Sequence, residues 1–142
     1  MTGPLEGRRC GDKGEVRKGR QQTVPETLTE RIIEGIIRVH STLGPGFLEG
    51  VYRNALVLEF VDKGLKVEPE KTTNVYYKGR PVGTHRLDML VEGQVVVELK
   101  TVEKLTAAHY AQIRSYLKAA GLTGGLLVNF ATEKADFRRV ES

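Results

Sequence analysis

Asp88, Glu98 and Lys100 are the residues whose types and spacing can do chemistry. They lie in RLDMLVEGQVVVELKT, from Arg86 to Thr101, which reads as two β-strands joined near Glu92-Gly93. Side chains alternate along a strand, so Val95, Val97 and Leu99 take one face and Val96, Glu98 and Lys100 the other. Charges on so apolar a strand are costly to bury unless they are paired or hold a metal. Asp88 and Glu98 together suit a hard divalent cation, Mg2+ or Mn2+, and the Leu99 carbonyl offers a further oxygen. Lys100 supplies a point charge beside a phosphate. Hydrolysis of a phosphodiester asks for these functions: charge neutralised on the phosphoryl oxygens and a water activated. Three readings stay open from the residues alone. One is a charged hairpin with cross-strand ion pairs, and another is metal-dependent phosphodiester cleavage. The third is a nucleic-acid or protein-interaction module without turnover, with Arg86, Lys100, Lys104, Arg114 and Lys118 as candidate phosphate contacts.

The elements around this pair decide whether a site is shared. A plain two-residue turn at Glu92-Gly93 would set Asp88 opposite Val97, pointing away from Glu98. A three-residue loop, Val91-Glu92-Gly93 with a left-handed glycine, pairs Asp88 with Val96. It puts Asp88, Glu98 and Lys100 on one face, with Arg86 across from Glu98. Upstream, Thr27-x-x-Glu30 reads as a capping box for a helix over 28–42, ended by Gly44-Pro45-Gly46. His40, in its last turn, reads as a surface or cap residue. A second helix is expected over 48–63, with Gly64 as its cap. Glu49 in its first turn is either a carboxylate favoured by the helix end or one aimed into an acidic site. Strands follow at 65–68, stopped by Pro69, then at 72–77, 82–91 and 94–100. A third helix runs over 107–120 between Thr106 and Gly121, carrying His109, Gln112 and Tyr116 three and four apart on one stripe. Gln112 and Tyr116 are placed to position a ligand carboxylate or a phosphate. GGLLVNF, residues 124–130, reads as a covered strand reached by a helical crossover, hence parallel. A short, fraying edge strand is expected around Phe137. The order α-α-β-β-β-β-α-β predicts an α/β fold, a mixed central sheet flanked by helices.

Composition narrows the classes. The 142 residues suffice for one core, and 39% apolar with 28% charged is ordinary for a globular domain. No apolar run approaches a membrane span, and the N-terminus lacks a secretory apolar region. Cys10 is the lone cysteine, so no internal disulfide forms, and a cytoplasmic location is the expectation. The formal charge of +4 sits mostly in residues 1–25, which carry +3 and leave +1 for 26–142. Any nucleic-acid surface on the folded part must therefore be a local patch. Residues 1–25 are basic, glycine-rich and poor in large apolar groups, and are expected to be a disordered arm before a single domain over 26–142. His85 reads as structural, and His109 as a candidate to approach the site. There is no zinc signature, glycine-rich phosphate loop or evident Ser-His-Asp spacing.

Four segments together carry a resemblance. Gly46-Phe47-Leu48-Glu49-Gly50-Val51-Tyr52 resembles the naming motif of the GxxExxY protein family, a small branch of the PD-(D/E)XK nuclease superfamily. Arg86-Leu87-Asp88 followed by Val97-Glu98-Leu99-Lys100 is similar to the superfamily core, with Leu87 where the proline of the PD motif would stand. Gln112-Ile113-Arg114-Ser115-Tyr116 resembles the Q-x3-Y element of its RecB-like members, and the strand ending at Asn129-Phe130 also fits. The resemblance covers about 27–140. It implies a restriction-endonuclease-like core, with Asp88 and Glu98 as metal carboxylates and Lys100 as catalytic lysine. Glu49 would be an additional helix carboxylate, and Gln112 and Tyr116 supporting residues. The implied activity is Mg2+- or Mn2+-dependent cleavage of nucleic acid, DNA before RNA. The alternative is a catalytically inactive binding module on the same fold.

Overall fold

The computed structural model describes residues 23–142. Most of the expected arm therefore lies outside the described residues, but Val24 at its end packs against the core. Helices α1 (Glu26–Leu43) and α2 (Glu49–Asp62) come first, then strands β1 (Val67–Tyr77), β2 (Arg80–Val91) and β3 (Val95–Lys100). Helix α3 (Ala107–Ala120) leads to β4 (Gly124–Asn129) and β5 (Asp136–Glu141). The sheet order is β1-β2-β3-β4-β5. Only β3 and β4 run parallel, as the crossover through α3 requires. The order is thus α-α-β-β-β-α-β-β, and the fold is α/β with a mixed central sheet between helices, as expected.

Three departures from the expected elements have simple causes. Pro69 does not stop the first strand, because β1 is an edge strand, where a missing N–H can be tolerated. Instead Glu70 takes a positive φ of 52° opposite Asp88, and the strand continues to Tyr77. At the other edge, residues 136–141 do not fray at once: β5 pairs along the full length of β4. The capping box at Thr27 does not form either. Helix α1 starts earlier, on Pro25, whose carbonyl accepts the N–H groups of Leu28 and Thr29 at 3.1 and 3.2 Å.

Each sheet face has its own apolar layer. Leu28, Ile32 and Ile36 of α1 and Tyr52, Leu56 and Phe60 of α2 pack on Met89, Val97 and Leu99. Ile113, Tyr116 and Leu117 of α3 pack on Leu87, Leu90, Val96 and Leu127. Strands β3 and β4 are covered on both faces, which explains their near-continuous apolar runs. The α1–α2 contact depends on Gly35, where an added Cβ would lie 2.6 Å from the ring of fully buried Phe60. Alanine normally gains about 1 kcal/mol over glycine inside a helix. Here the clash outweighs that gain, so Gly35→Ala is expected to lower stability by about 1–2 kcal/mol net in urea titration.

Candidate functional site

Residues brought together where β2 and β3 part

The β2–β3 ladder stops at Met89↔Val97, one step short of Asp88 and Glu98. Side chains then take over from backbone. The Asp88 N–H donates to Glu98 Oε1 at 2.8 Å, and the Leu99 N–H donates to Asp88 Oδ2 at 2.8 Å. Each carboxylate thus sits on the other strand's backbone at the point where the strands part. The expected even register is present, but its residues are shifted. The paired residues run Met89↔Val97, Leu90↔Val96 and Val91↔Val95, which sets Asp88 opposite Glu98 rather than Val96. The loop is Glu92-Gly93-Gln94, with φ of 54° and 64° at Glu92 and Gly93 and the Gln94 N–H bonded to the Val91 carbonyl at 3.0 Å. Glu92 is held there by Lys66, whose carbonyl accepts the Glu92 N–H and whose own N–H donates to the Glu92 carboxylate. Arg86 consequently lies not across from Glu98 but opposite Thr72, with its guanidinium 3.7 Å from Glu70.

Side-chain alternation also slips at this point. Leu87 and Leu90 both join the α3-side layer, although they are three residues apart. The same slip turns His85 toward α3, where its ring lies 4.5 Å from that of Tyr116. Glu98 is 4% exposed. Burial first, then the Asp88 charge, push its carboxyl up to about 8. Burial, with Asp88 adding to it, also raises Glu49, which Lys100 and Arg53 partly offset. The Tyr116 hydroxyl is raised by burial and by the negative charges of Glu98 and Asp88. Lys100 donates from Nζ to Gln112 Oε1 at 2.7 Å. Asp88, Glu98, Lys100, Glu49, Gln112 and Tyr116 are therefore neighbours, drawn from β2, β3, α2 and α3.

The local sequence explains how Glu49 is aimed. Fully buried Tyr52 donates its hydroxyl to the Gly44 carbonyl at 2.5 Å and accepts the Phe47 N–H at 3.2 Å. Its ring stacks on Phe130 at 4.4 Å. The tyrosine thus clips the loop that delivers Glu49 at the start of α2. His40, expected at the surface, is buried with its Nε2 2.8 Å from the Thr132 carbonyl. His109 is committed to capping: its Nδ1 accepts the Thr106 N–H at 3.0 Å.

Two residues that sequence reasoning passed over complete the cluster. The Arg53 guanidinium lies 3.8 Å from Glu49, 3.5 Å from Glu70 and 3.9 Å from Asp88. Its spacing of four from Glu49 was the available signal. Glu70 gave none, because its approach depends on its positive φ. Fully buried Asn129 fastens the chain leaving β3: its side chain accepts the Val102 N–H and donates to the Val102 carbonyl.

Among the described residues, no group of three or more His, Cys, Asp or Glu side chains encloses a metal ion. The donor chemistry nonetheless fits a hard cation. Glu98 spends one oxygen on a backbone N–H and keeps the other, while Asp88 accepts the Leu99 N–H with Oδ2 and turns Oδ1 toward the Arg53 guanidinium, a long contact at 3.9 Å that a cation could replace. N–H and C=O of one strand residue point to the same edge, so the Leu99 carbonyl faces the same parting of the strands. Carboxylate and carbonyl oxygens are what Mg2+ and Mn2+ prefer.

An α/β domain whose mixed sheet parts at two facing carboxylates, with a lysine two residues on, defines the class. The family model of the PD-(D/E)XK nuclease superfamily matches residues 26–140, and the chain belongs to that superfamily. Among solved structures, the crystal structure of SSO0001 is similar at 20% identity and a TM-score of 0.47. That likeness covers 81% of this chain and 65% of the other, so the chain spans just under two thirds of that structure's length. No curated protein matches the chain. Among the described residues, no helix is long and apolar enough to cross a membrane.

Proposed function

We propose that the chain is a metal-dependent nuclease that hydrolyses phosphodiester bonds in DNA, of the GxxExxY branch of its superfamily. The reading rests on one observation above the others: Asp88 and Glu98 face each other at the parting of β2 and β3, beside Lys100. Asp88 and Glu98, with the Leu99 carbonyl and Glu49 at the side, are the residues that would hold Mg2+ or Mn2+. When bound, the ion supplies Lewis acidity at the phosphoryl group and lowers the pKa of a bound water.

The chain's own residues do the rest. Lys100, steadied by Gln112, presents its ammonium to the scissile phosphate and stabilises the charge that grows there. Tyr116 closes the α3 side over Glu98 and keeps water from the buried carboxylate. Arg53 balances Asp88, Glu49 and Glu70.

The test is an assay of the purified chain on single- and double-stranded DNA with Mg2+ or Mn2+, beside RNA as a comparison. Cleavage that requires the cation and disappears in Asp88→Ala, Glu98→Ala and Lys100→Ala is the expected result. Equal background cleavage by the wild type and all three variants would leave a binding module on the same fold.

A further inference from the structure

We propose that the β1–β2 hairpin is a nucleic-acid-binding arm that stacks unpaired bases on Tyr76 and Tyr77 and holds the flanking phosphates with Lys78 and Arg80. This deepens the nuclease reading by naming the substrate class: DNA with a single-stranded stretch. The arm starts at the candidate site, because Glu70 and Asp88 form its inner end. Strand β3 pairs with β2 only over Met89–Val91, so Arg80–Leu87 run on with β1 alone. Seven strand steps carry the tip roughly 23 Å beyond Leu87.

Nothing between Thr72 and Thr84 is buried. The inner part of the hairpin lies against α3, where His85 meets Tyr116 and Ser115, but its outer part has no core, and a two-stranded hairpin without one is marginal in water. This one nevertheless leaves Tyr76, Tyr77 and Val82 at 60%, 64% and 62% exposure. Apolar groups gathered at such a tip point to a contact surface. The charge says which kind. Residues 71–86 carry Lys71, Lys78, Arg80 and Arg86 and no Asp or Glu, a charge of +4 on sixteen residues. Lys71 and Arg86 are paired at the base, with Glu68 and Glu70. Lys78 and Arg80 have no ion pair among the described residues, and Lys78 lies 5.4 Å above the Tyr77 ring. This is the local basic patch that a nearly neutral fold requires for binding phosphates.

The tip favours stacking over reading of base edges. The Asn74 amide, the one amide on the outer arm, is occupied by the Tyr76 hydroxyl at 3.3 Å. As neighbours in β1, Tyr76 and Tyr77 project to opposite faces of the ribbon, and each offers an exposed ring on which a base of a single strand wrapping the tip can stack, beside cations without an ion pair.

The test is fluorescence anisotropy of the full chain with a labelled 20-nucleotide single strand and its duplex, without divalent cation. Binding is thereby read apart from cleavage. Tyr76→Ala with Tyr77→Ala is expected to weaken single-strand binding by about tenfold or more, and duplex binding less. Lys78→Ala with Arg80→Ala is expected to flatten the slope of log K against log salt by about 1.4. Both pairs change exposed side chains, and unchanged circular dichroism melting confirms that the fold survives. Wild-type affinity in both variants, or no binding by the wild type, would overturn the arm. An equal loss on single strand and duplex would overturn the stacking. If cleavage fails in the earlier assay but this binding holds, the nuclease reading falls and the arm stands.

Discussion

Asp88→Asn is expected to cut cation-dependent cleavage by about 10²–10³-fold or more while leaving the metal-free protein at least as stable as the wild type. Asparagine keeps an oxygen that can accept the Leu99 N–H, so the 2.8 Å bond that ends the β2–β3 ladder survives. It removes the negative charge. In the wild type that charge raises both Glu98 and Glu49, which means that it works against their ionised forms. Without it the two glutamates ionise more readily. The loss of the Arg53 contact is small, because that ion pair is long, at 3.9 Å, and partly exposed. A residue that served only the fold would behave in the opposite way, with stability falling and no specific effect on cation binding. The measurements are initial rates on single-stranded DNA, thermal melting without divalent cation, and Mg2+ or Mn2+ titration by calorimetry. Loss of stability together with undiminished cation uptake would assign Asp88 to structure. The expected pattern would show acidic groups kept together at the expense of the metal-free fold.

How much of this was legible in the sequence depends on what fixes each feature. The helices α1, α2 and α3 and the buried strands β3 and β4 follow from local periodicity, α3 also from its caps at Thr106 and Gly121, and their bounds lie within two residues of expectation. The parallel placement of β4 followed from the length of the 107–120 helix. The neighbourhood of Asp88, Glu98 and Lys100 required only an even register, and the hairpin has one. The particular register was not readable, because it is set by Lys66 gripping Glu92 from 26 residues away. A contact between distant residues leaves no periodic trace. The same holds for Glu70, for His40 and for the contacts of Arg53 beyond its own helix. Each takes its place through tertiary packing: a positive φ opposite Asp88, a bond to Thr132, and a set of three acids from different elements. The outer hairpin was read as ordinary strand, since alternation cannot distinguish a strand within a sheet from one that leaves it.

The stability of the metal-free chain is expected to fall as pH rises from about 4.5 to about 8, and Glu98→Gln is expected to remove that part of the slope. The ordinary carboxyl value is 4.5, and the folded protein raises Glu98 to about 8. Below 4.5 the group is protonated in both states, and its contribution to stability is fully present. Between the two values the unfolded chain gives up the proton while the folded chain keeps it, so each rise in pH favours unfolding. Above 8 both states are ionised and the loss is complete. Glu49, raised for the same causes of burial and the Asp88 charge, adds in the same direction. A buried carboxyl shifted this far accounts for a change on the order of a few kcal/mol, several degrees in melting temperature or more. Glutamine has no proton to lose, and the difference between wild type and Glu98→Gln isolates the site from every other titrating group. Urea titrations from pH 4 to 9 in chelator-treated buffer read this difference, and a flat difference would place the Glu98 carboxylate in a hydrated environment. Divalent cation should reverse the trend at the upper end. A ligand that binds only the ionised folded site stabilises it by RT ln(1 + [L]/Kd), about 2.7 kcal/mol at a hundred times Kd. Magnesium should therefore raise the melting temperature of the wild type at pH 8 more than at pH 5, and that of Glu98→Gln by less at both. The gathering of carboxyl groups that costs stability in metal-free buffer is thus the same property that would make the site select a cation.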